Sequence, residues 1–351
     1  MRVEPFTVEL DPPLGTARET MRERDGFLVR IEYDGHEGIG EATPLVGWTE
    51  SYEECREALD RAANVAAELD WGVALARLDT PAARHGIALA LAVARARAGE
   101  DPLYRTLGPV PADTGAEQHP ERVERVPVNA TLGADGTPEA VAGRARAAVS
   151  AGYRCLKLKI GGRGVEADIE RVRAVRNAVG EDVTLRVDAN GAWTRPESRE
   201  AVEALSALEV AYVEQPLSTA DLDATGDLRD RGVDIALDES LAAHDVETVL
   251  GAEAADALVL KPMVLGGPDL AVEAARRCRE AGVEPVVSTT VDAAVARSGA
   301  VHVAASIPDV APCGLATGDR VVRDLAPDPA PVANGSVRVP QTAGLGLSEV
   351  L

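Results

Sequence analysis

Only three of the 36 basic residues in this 351-residue chain are lysines: Lys157, Lys159 and Lys261. Arginine serves as well as lysine for surface charge, but it does not give up its proton at any working pH. Lysines kept in a chain that otherwise uses arginine are therefore candidates for proton transfer. Three carboxylates share their spacing. Lys159, Asp188, Glu214, Asp238 and Lys261 follow one another at intervals of 29, 26, 24 and 23 residues. Each lies near the end of a short β-rich run: CLKLKIG, TLRVDAN, AYVEQPL, DIALDES and ALVLKP. A charge inside such a run is costly unless it meets a partner, and here the charges can meet one another.

Three carboxylates that converge without histidine or cysteine make a hard oxygen site, suited to Mg²⁺ or Mn²⁺ and not to zinc. Lys157 and Lys159 are two apart on a strand, so both face the same side. Like-charge proximity and partial burial are expected to lower the pKa of one of them. Arg186 and Asn190 flank Asp188 at two residues' distance on the same face; they read equally as supports of the site and as interior packing. A proton next to a carboxylate is very weakly acidic, and its removal leaves a doubly charged ene-diolate. A divalent ion with cationic side chains stabilises that charge, and a neutral lysine takes the proton. Singly the motifs are weak: Asp-Ala-Asn is often a turn, Glu-Gln-Pro a strand end, and Lys-x-Lys a solvated face. Their joint spacing carries the reading.

The interval is one strand, one helix and two short loops. Eight strand-like runs (126–132, 155–161, 184–190, 211–217, 234–240, 257–262, 284–290 and 309–318) alternate with helical stretches such as TPEAVAGRARAAVSAG and VEADIERVRAVRNAVG, several opened by Thr, Pro, Ser or Asp. Eight such runs predict an α/β fold with a parallel barrel rather than a doubly wound sheet, and catalytic groups at the C-terminal strand ends. No helix pattern follows the eighth run, so the expected barrel is (β/α)7β over residues 119–320. Residues 1–118 read as an α+β domain, completed by the tail 321–351. In it DGFLVRIEYDGHEGIGEATPL is a hairpin turning at Asp34-Gly35, and helices follow near 50–69 and 80–98.

The net charge of −22, from 58 acidic and 36 basic residues, repels nucleic acid and anionic membranes. Spread along the chain, it suits a salty cytoplasm, where screening removes the self-repulsion. No apolar run follows MRVEPFTVEL and none reaches 18 residues, so a soluble cytoplasmic protein is expected. Cys55, Cys155, Cys278 and Cys313 form no CxxC and are expected to be buried apolar side chains. The expected partner is a small carboxylate. Homo-oligomers are common among such barrels, but no interface signature is present.

Lys157-Leu-Lys159, Asp188-Ala-Asn190, Glu214-Gln-Pro216, Asp238-Glu-Ser240 and Lys261-Pro262 together resemble the enolase superfamily, in its muconate cycloisomerase-like branch. The similarity covers nearly the whole chain, the N-terminal α+β segment looking like that family's capping domain. It implies Asp188, Glu214 and Asp238 as Mg²⁺ ligands, Lys159 as base, Lys157 as its assistant, and Lys261 facing Lys159 across the substrate. Strand seven ends in Ser288-Thr289-Thr290 with no histidine, unlike the mandelate racemase-like branch. The segment Gly40-Glu41-Ala42-Thr43-Pro44-Leu45-Val46-Gly47-Trp48-Thr49 is similar to Gly-Glu-x-x-Pro-Leu-Pro-Gly-Phe-Ser of the o-succinylbenzoate synthases, dehydratases of menaquinone synthesis; Val46 replaces the usual proline.

That likeness implies a cyclohexadiene carboxylate substrate bearing a hydroxyl and a succinyl group. Trp48 would close over its ring or else pack between the domains, and Ser288, Thr289 or the Gly314 end of strand eight would bind the succinyl group. The same machinery could racemise N-succinyl amino acids, with Lys159 and Lys261 as opposed bases, or cycloisomerise muconate. Dipeptide epimerisation fits less well, because Gly314-Leu-Ala-Thr-Gly318 lacks an Asp-x-Asp for an ammonium. A barrel that binds metal without turnover would have no need of a deprotonatable lysine.

Overall fold

In the N-terminal unit Asp34 and Gly35 both take positive φ, 49° and 79°, the left-handed pair that a two-residue hairpin requires. The computed structural model describes residues 1–15, 20–111, 117–118 and 122–350. The unit opens with β1 (Arg2–Gly15), paired antiparallel to β2 (Thr20–Tyr33), which pairs through the expected hairpin with β3 (His36–Ala42). The sequence reading assigned no strand to 2–15. Pro5, Pro12 and Pro13 interrupt its pattern, and β1 accordingly sits at a sheet edge, where prolines are tolerated.

Helices α1 (Tyr52–Glu68), α2 (Trp71–Ala76) and α3 (Pro81–Ala98) follow, α1 opened by a Ser51–Glu54 capping box. α3 lies hard against β3. A Cβ on Gly40 would stand 1.9 Å from the carbonyl oxygen of Gly86, so that glycine is dictated by close approach. Beyond the short pair β4 (Val110–Pro111) and β5 (Glu117–Gln118) comes β6 (Arg125–Pro127). Residues 119–121, where the barrel domain was expected to begin, lie outside the described residues.

Seven parallel strands then follow in strict chain order: β7 (Ala130–Leu132), β8 (Cys155–Lys159), β9 (Thr184–Asp188), β10 (Val210–Glu214), β11 (Asp234–Leu237), β12 (Ala257–Leu260) and β13 (Glu284–Val287). Between them run α4 (Pro138–Ser150), α5 (Val165–Val179), α6 (Arg195–Ser206), α7 (Leu222–Gly226), α8 (Ser240–Ala243), α9 (Val246–Gly251), α10 (Pro262–Leu265) and α11 (Pro268–Glu280). α12 (Ala294–Ala305) follows β13. The sheet is curled. The eighth expected run enters as two isolated parallel bridges, Val128 with Cys313 and Ser288 with Gly314, one at each edge of the sheet.

The first expected run, 126–132, is divided. Only 130–132 joins the parallel sheet, while β6 pairs antiparallel with β15 (Ser336–Arg338) and, through it, β14 (Val332–Ala333). The tail thus serves both units: β15 pairs beside the parallel sheet, whereas Val321 and Leu345 pack with Val8, Leu28 and Val93. That cluster also takes in Ile39, Leu89, Val291 and Val295, and it forms the apolar seam between N-terminal unit and sheet. All four cysteines are free and buried. No described helix is long and apolar enough to cross a membrane.

On α12 the fully buried His302 accepts the Tyr104 backbone N–H at Nδ1, 3.3 Å away, and its ring stacks on that of Tyr104. Burial pushes its pKa from 6.5 down to about 4. The fold therefore favours neutral imidazole. Its contribution to stability is intact above about 6.5 and is lost as pH falls towards about 4. Denaturant titrations across this range should show a pH-dependent loss smaller by on the order of 3 kcal/mol in His302→Gln; parallel curves for the two proteins would contradict the assignment.

Candidate active site

Strand register sets the site. β8 and β9 pair so that Lys159 lies beside Asp188, and β9 and β10 pair so that Asp188 lies beside Glu214. Three charges thus form one row across three strands. Further round, the row climbs. Glu214 pairs with Ala236, two residues before Asp238; Leu237 pairs with Leu258, which puts Lys261 two residues beyond the level of Asp238. Steps of two keep each side chain on the same face, and strand tilt in a curled sheet imposes the climb.

The charges meet in pairs. Lys157 Nζ donates to both oxygens of Glu214, at 2.7 and 2.9 Å, and lies 3.2 Å from Asp188 Oδ2. Lys159 Nζ donates to Asp188 Oδ2 at 2.6 Å and to Asn190 Oδ1 at 2.9 Å. Lys261 Nζ donates to Asp238 Oδ2 at 2.7 Å and sits 3.5 Å from the centroid of the Trp48 ring. All three carboxylates are buried. Of the lysine side chains, Lys159 is the most open, 33% exposed against 12% for Lys157 and 10% for Lys261.

Two carboxylates side by side in the interior share their charge unequally. Burial, with Asp188 alongside, pushes Glu214 up to about 8. Burial acts the same way on Asp188, but the Lys159 and Lys157 ammonium groups outweigh it and hold that carboxyl low. Lys157 is not a lysine with a lowered pKa. Burial does push it down, yet Glu214 and Asp188 outweigh burial and hold it well above its ordinary value. The neighbours that decide its charge are the carboxylates of the next two strands, not the second lysine on its own.

Side chains that hold backbone surround this row. Gln215, at φ 41°, accepts at Oε1 from the backbone N–H of Asp238 and of Ser240, both at 3.1 Å, and donates from Nε2 to the Leu217 carbonyl at 2.9 Å. It ties the end of β10 to the end of β11. Asn190, at φ 46°, accepts from Lys159 and donates from Nδ2 to Glu239 Oε1 at 2.8 Å. Neither Gln215 nor Glu239 was singled out from sequence, although each stands inside a motif that was.

The remaining expected site residues divide. Trp48 and Asn190 join the lysines and carboxylates. Arg186 is buried two residues deeper, donating to the Pro312 carbonyl at 2.5 Å and stacking over Tyr212 at 4.6 Å. Its contacts are those of interior packing. Ser288 donates to the Gly314 carbonyl at 3.3 Å, and the hydroxyls of Thr289 and Thr317 are 3.1 Å apart. A Cβ on Gly314 would stand 2.5 Å from Ser288 Oγ, so a larger residue there would displace that hydroxyl.

Among the described residues no group of three or more His, Cys, Asp or Glu side chains forms a finished ligand set, and an ammonium group is bonded to each of the three carboxylates. The donor chemistry nevertheless fits a hard divalent cation: three buried carboxylates on successive strands, one of them resisting its charge. Asp238 Oδ1 and Glu239 Oε2 are also buried without a partner among the described residues.

The family described as "Enolase C-terminal domain-like" matches residues 140–348, and that described as "MenC, N-terminal domain" matches residues 3–94. The o-succinylbenzoate synthase of Thermobifida fusca is 40% identical over 211 residues, 59% of this chain and 64% of that protein; the match spans just under two thirds of that relative's length. The N-succinyl-L-Arg/Lys racemase of Bacillus cereus is 34% identical over 172 residues, 48% of this chain and 46% of that protein. Among solved structures, the dipeptide epimerase from Enterococcus faecalis V583 complexed with Mg and dipeptide L-Leu-L-Tyr is 27% identical with a TM-score of 0.85, covering 99% of this chain and 98% of that one.

Replacing Gln215 by leucine strands the Asp238 and Ser240 N–H groups in the interior. Gln215→Leu should lose about 2–6 kcal/mol in urea unfolding, at about 1–3 kcal/mol per orphaned group. A loss below about 0.5 kcal/mol, the level of an ordinary surface change, would mean that the carboxamide does not hold the strand end.

Proposed function

This chain belongs to the enolase superfamily, and from that premise we propose that it is an o-succinylbenzoate synthase, dehydrating a succinyl-hydroxycyclohexadiene-carboxylate in menaquinone synthesis. The observation that carries this reading over its rivals is the inequality of the two facing lysines. Lys159 reaches the open mouth, whereas Lys261 is lodged between Asp238 and the indole face of Trp48. One lysine open to the mouth and one enclosed cation suit an elimination that needs a single base. The likeness of residues 3–94 to a MenC N-terminal domain supports the same choice.

Asp188, Glu214 and Asp238 would hold Mg²⁺, or Mn²⁺, which supplies positive charge to the substrate carboxylate as its α-carbon loses a proton. Lys159 Nζ, aimed by Asp188 and Asn190, accepts that proton. Lys157 keeps Glu214 and Asp188 in place from beneath. Lys261 offers a fixed ammonium to the developing negative charge. The ring C–O bond then breaks, and the departing hydroxide takes up the proton carried by Lys159. One water is lost and the ring becomes aromatic. Trp48 walls the ring on the side of the N-terminal unit, residues 1–118 with the tail 321–351, and the 119–320 unit carries the charges.

Racemisation of N-succinyl amino acids is the second reading. It is favoured by the placement of Lys159 and Lys261 four strands apart on the sheet and by the racemase relative.

Purified protein in high salt with Mg²⁺, given the cyclohexadiene substrate and followed by ultraviolet absorbance, should form o-succinylbenzoate. Chelator should stop it, and Lys159→Ala should slow it by about 10³-fold, the usual worth of a positioned base. No conversion by folded protein would transfer the assignment to the racemase, for which deuterium would enter both enantiomers of an N-succinyl amino acid.

A further inference from the structure

A second buried polar cluster lies where β3 meets the loop after β13. Arg24, Glu41, Thr43, Thr290 and Asp292 are all buried there. The N-cap of α12 is Ala293, which has no side-chain acceptor for the orphaned N–H groups of the first turn. Glu41 of β3 supplies one from the N-terminal sheet. Its Oε1 accepts the Ala293 N–H at 2.9 Å and its Oε2 the Ala296 N–H at 2.8 Å. Thr43 donates its hydroxyl to Oε1 at 2.6 Å, and His85 of α3 bonds the Glu41 carbonyl through Nδ1 at 2.7 Å.

Arg24 runs beside this link. It donates to the Thr43 carbonyl at 2.9 Å and the Pro44 carbonyl at 3.1 Å, and the same guanidinium lies 3.5 Å from Thr290 Oγ1 and 3.8 Å from Asp292 Oδ1. Between Thr290 and Asp292, Val291 is held at φ 61°. A β-branched residue adopts that conformation only where its surroundings over-determine it.

Serine or threonine at position 293 would cap α12 at little cost. A fully buried carboxylate is an expensive substitute. Burial and the nearby Asp292 push its pKa up to about 7, against the pull of the Thr43 hydroxyl and the two N–H groups. What the carboxylate adds is a connection. Ser288–Thr290 continue β13 towards the mouth, and Trp48 follows Glu41 along the loop out of β3.

We propose that Glu41 is a positioning residue: by capping α12 from the N-terminal sheet it fixes the Ser288–Thr290 strand end and the Trp48 loop relative to one another. Its consequence for turnover rests on the reading of that mouth as the active site.

Full-length wild type, Glu41→Gln and Glu41→Gln with Ala293→Ser would be compared by amide hydrogen exchange and by steady-state kinetics. In Glu41→Gln, exchange should quicken in both 43–49 and 288–296. KM should rise roughly tenfold from misplacement of the walls, with a smaller change in kcat because strand register still holds the row of charges and only the Trp48 contact with Lys261 shifts. Adding Ala293→Ser should restore the melting temperature and protect the first turn of α12, but leave 43–49 exchanging quickly and KM high. Faster exchange confined to α12, or recovery of KM with the serine, would reduce Glu41 to a helix cap and overturn the proposal. Should Glu41→Gln fail to fold, Thr43→Val removes only the hydroxyl donor and must quicken both segments in the same way. If wild type turns over no substrate, the functional reading fails, while the exchange results still decide the role of Glu41.

Discussion

The mouth depends on one electrostatic constraint: Asp188, Glu214 and Asp238 are buried together, and only cations placed among them make that tolerable. Three ammonium groups perform that task in the described structure. Lysine is suited to it where arginine is not, being a compact point charge on a flexible stem and able to release its proton. Removing one member of such a buried pair leaves the other uncompensated, typically at about 3–5 kcal/mol. The residues that would do chemistry are therefore also structurally coupled, and the β/α frame must hold them at fixed register. Pairing of Lys159, Asp188 and Glu214 across adjacent strands does so without reliance on any loop.

The N-terminal unit attaches in a different way. Its seam with the sheet is built from Leu28, Ile39, Leu89 and Val93 against Val291 and Val295. Apolar contact of this kind supplies adhesion but little direction. Direction comes from polar contacts whose geometry is narrow: Glu41 onto two backbone N–H groups of α12, and Arg24 against the Thr290 hydroxyl and the Asp292 carboxylate. The indole of Trp48 meets the ammonium of Lys261 across this seam, so a wall of the mouth is only as well placed as the docking of the two units.

The row of five charges was legible in the sequence because a parallel β/α repeat converts regular spacing along the chain into adjacency in space. The scarcity of lysine pointed to the same positions, and Asp34-Gly35 announced its hairpin. Other features left no such trace. The pairing of β6 with β15 joins residues more than two hundred positions apart through strands of three residues each, too short for any periodicity. Glu41 reaches α12 across 252 positions, and in sequence it is one acid in an acidic chain. The raised pKa of Lys157 left no trace for a related reason: its partner lysine is visible two residues away, whereas the carboxylates that outweigh it belong to other strands. Arg186 shares its face with Asp188 as expected, but depth along the strand, which alternation does not encode, sends its guanidinium to Tyr212 and Pro312.

Elimination and racemisation draw on the same carboxylates and lysines, so the barrel residues alone do not separate them. The separation lies in what is asked of Lys261. A racemase needs each lysine in turn as proton donor and acceptor, one on either face of the α-carbon. A dehydratase needs a single base and, opposite it, a stationary positive charge. A lysine seated on an aromatic face and bonded to a buried carboxylate is held by two contacts, and it must give up both before it can trade protons. On the reading proposed here, the choice of outcome rests less with the strands that carry the charges than with the loop that brings Trp48 over Lys261. That loop belongs to the N-terminal unit, so specificity could drift by changes in residues 43–49 while the row of charges beneath stayed fixed.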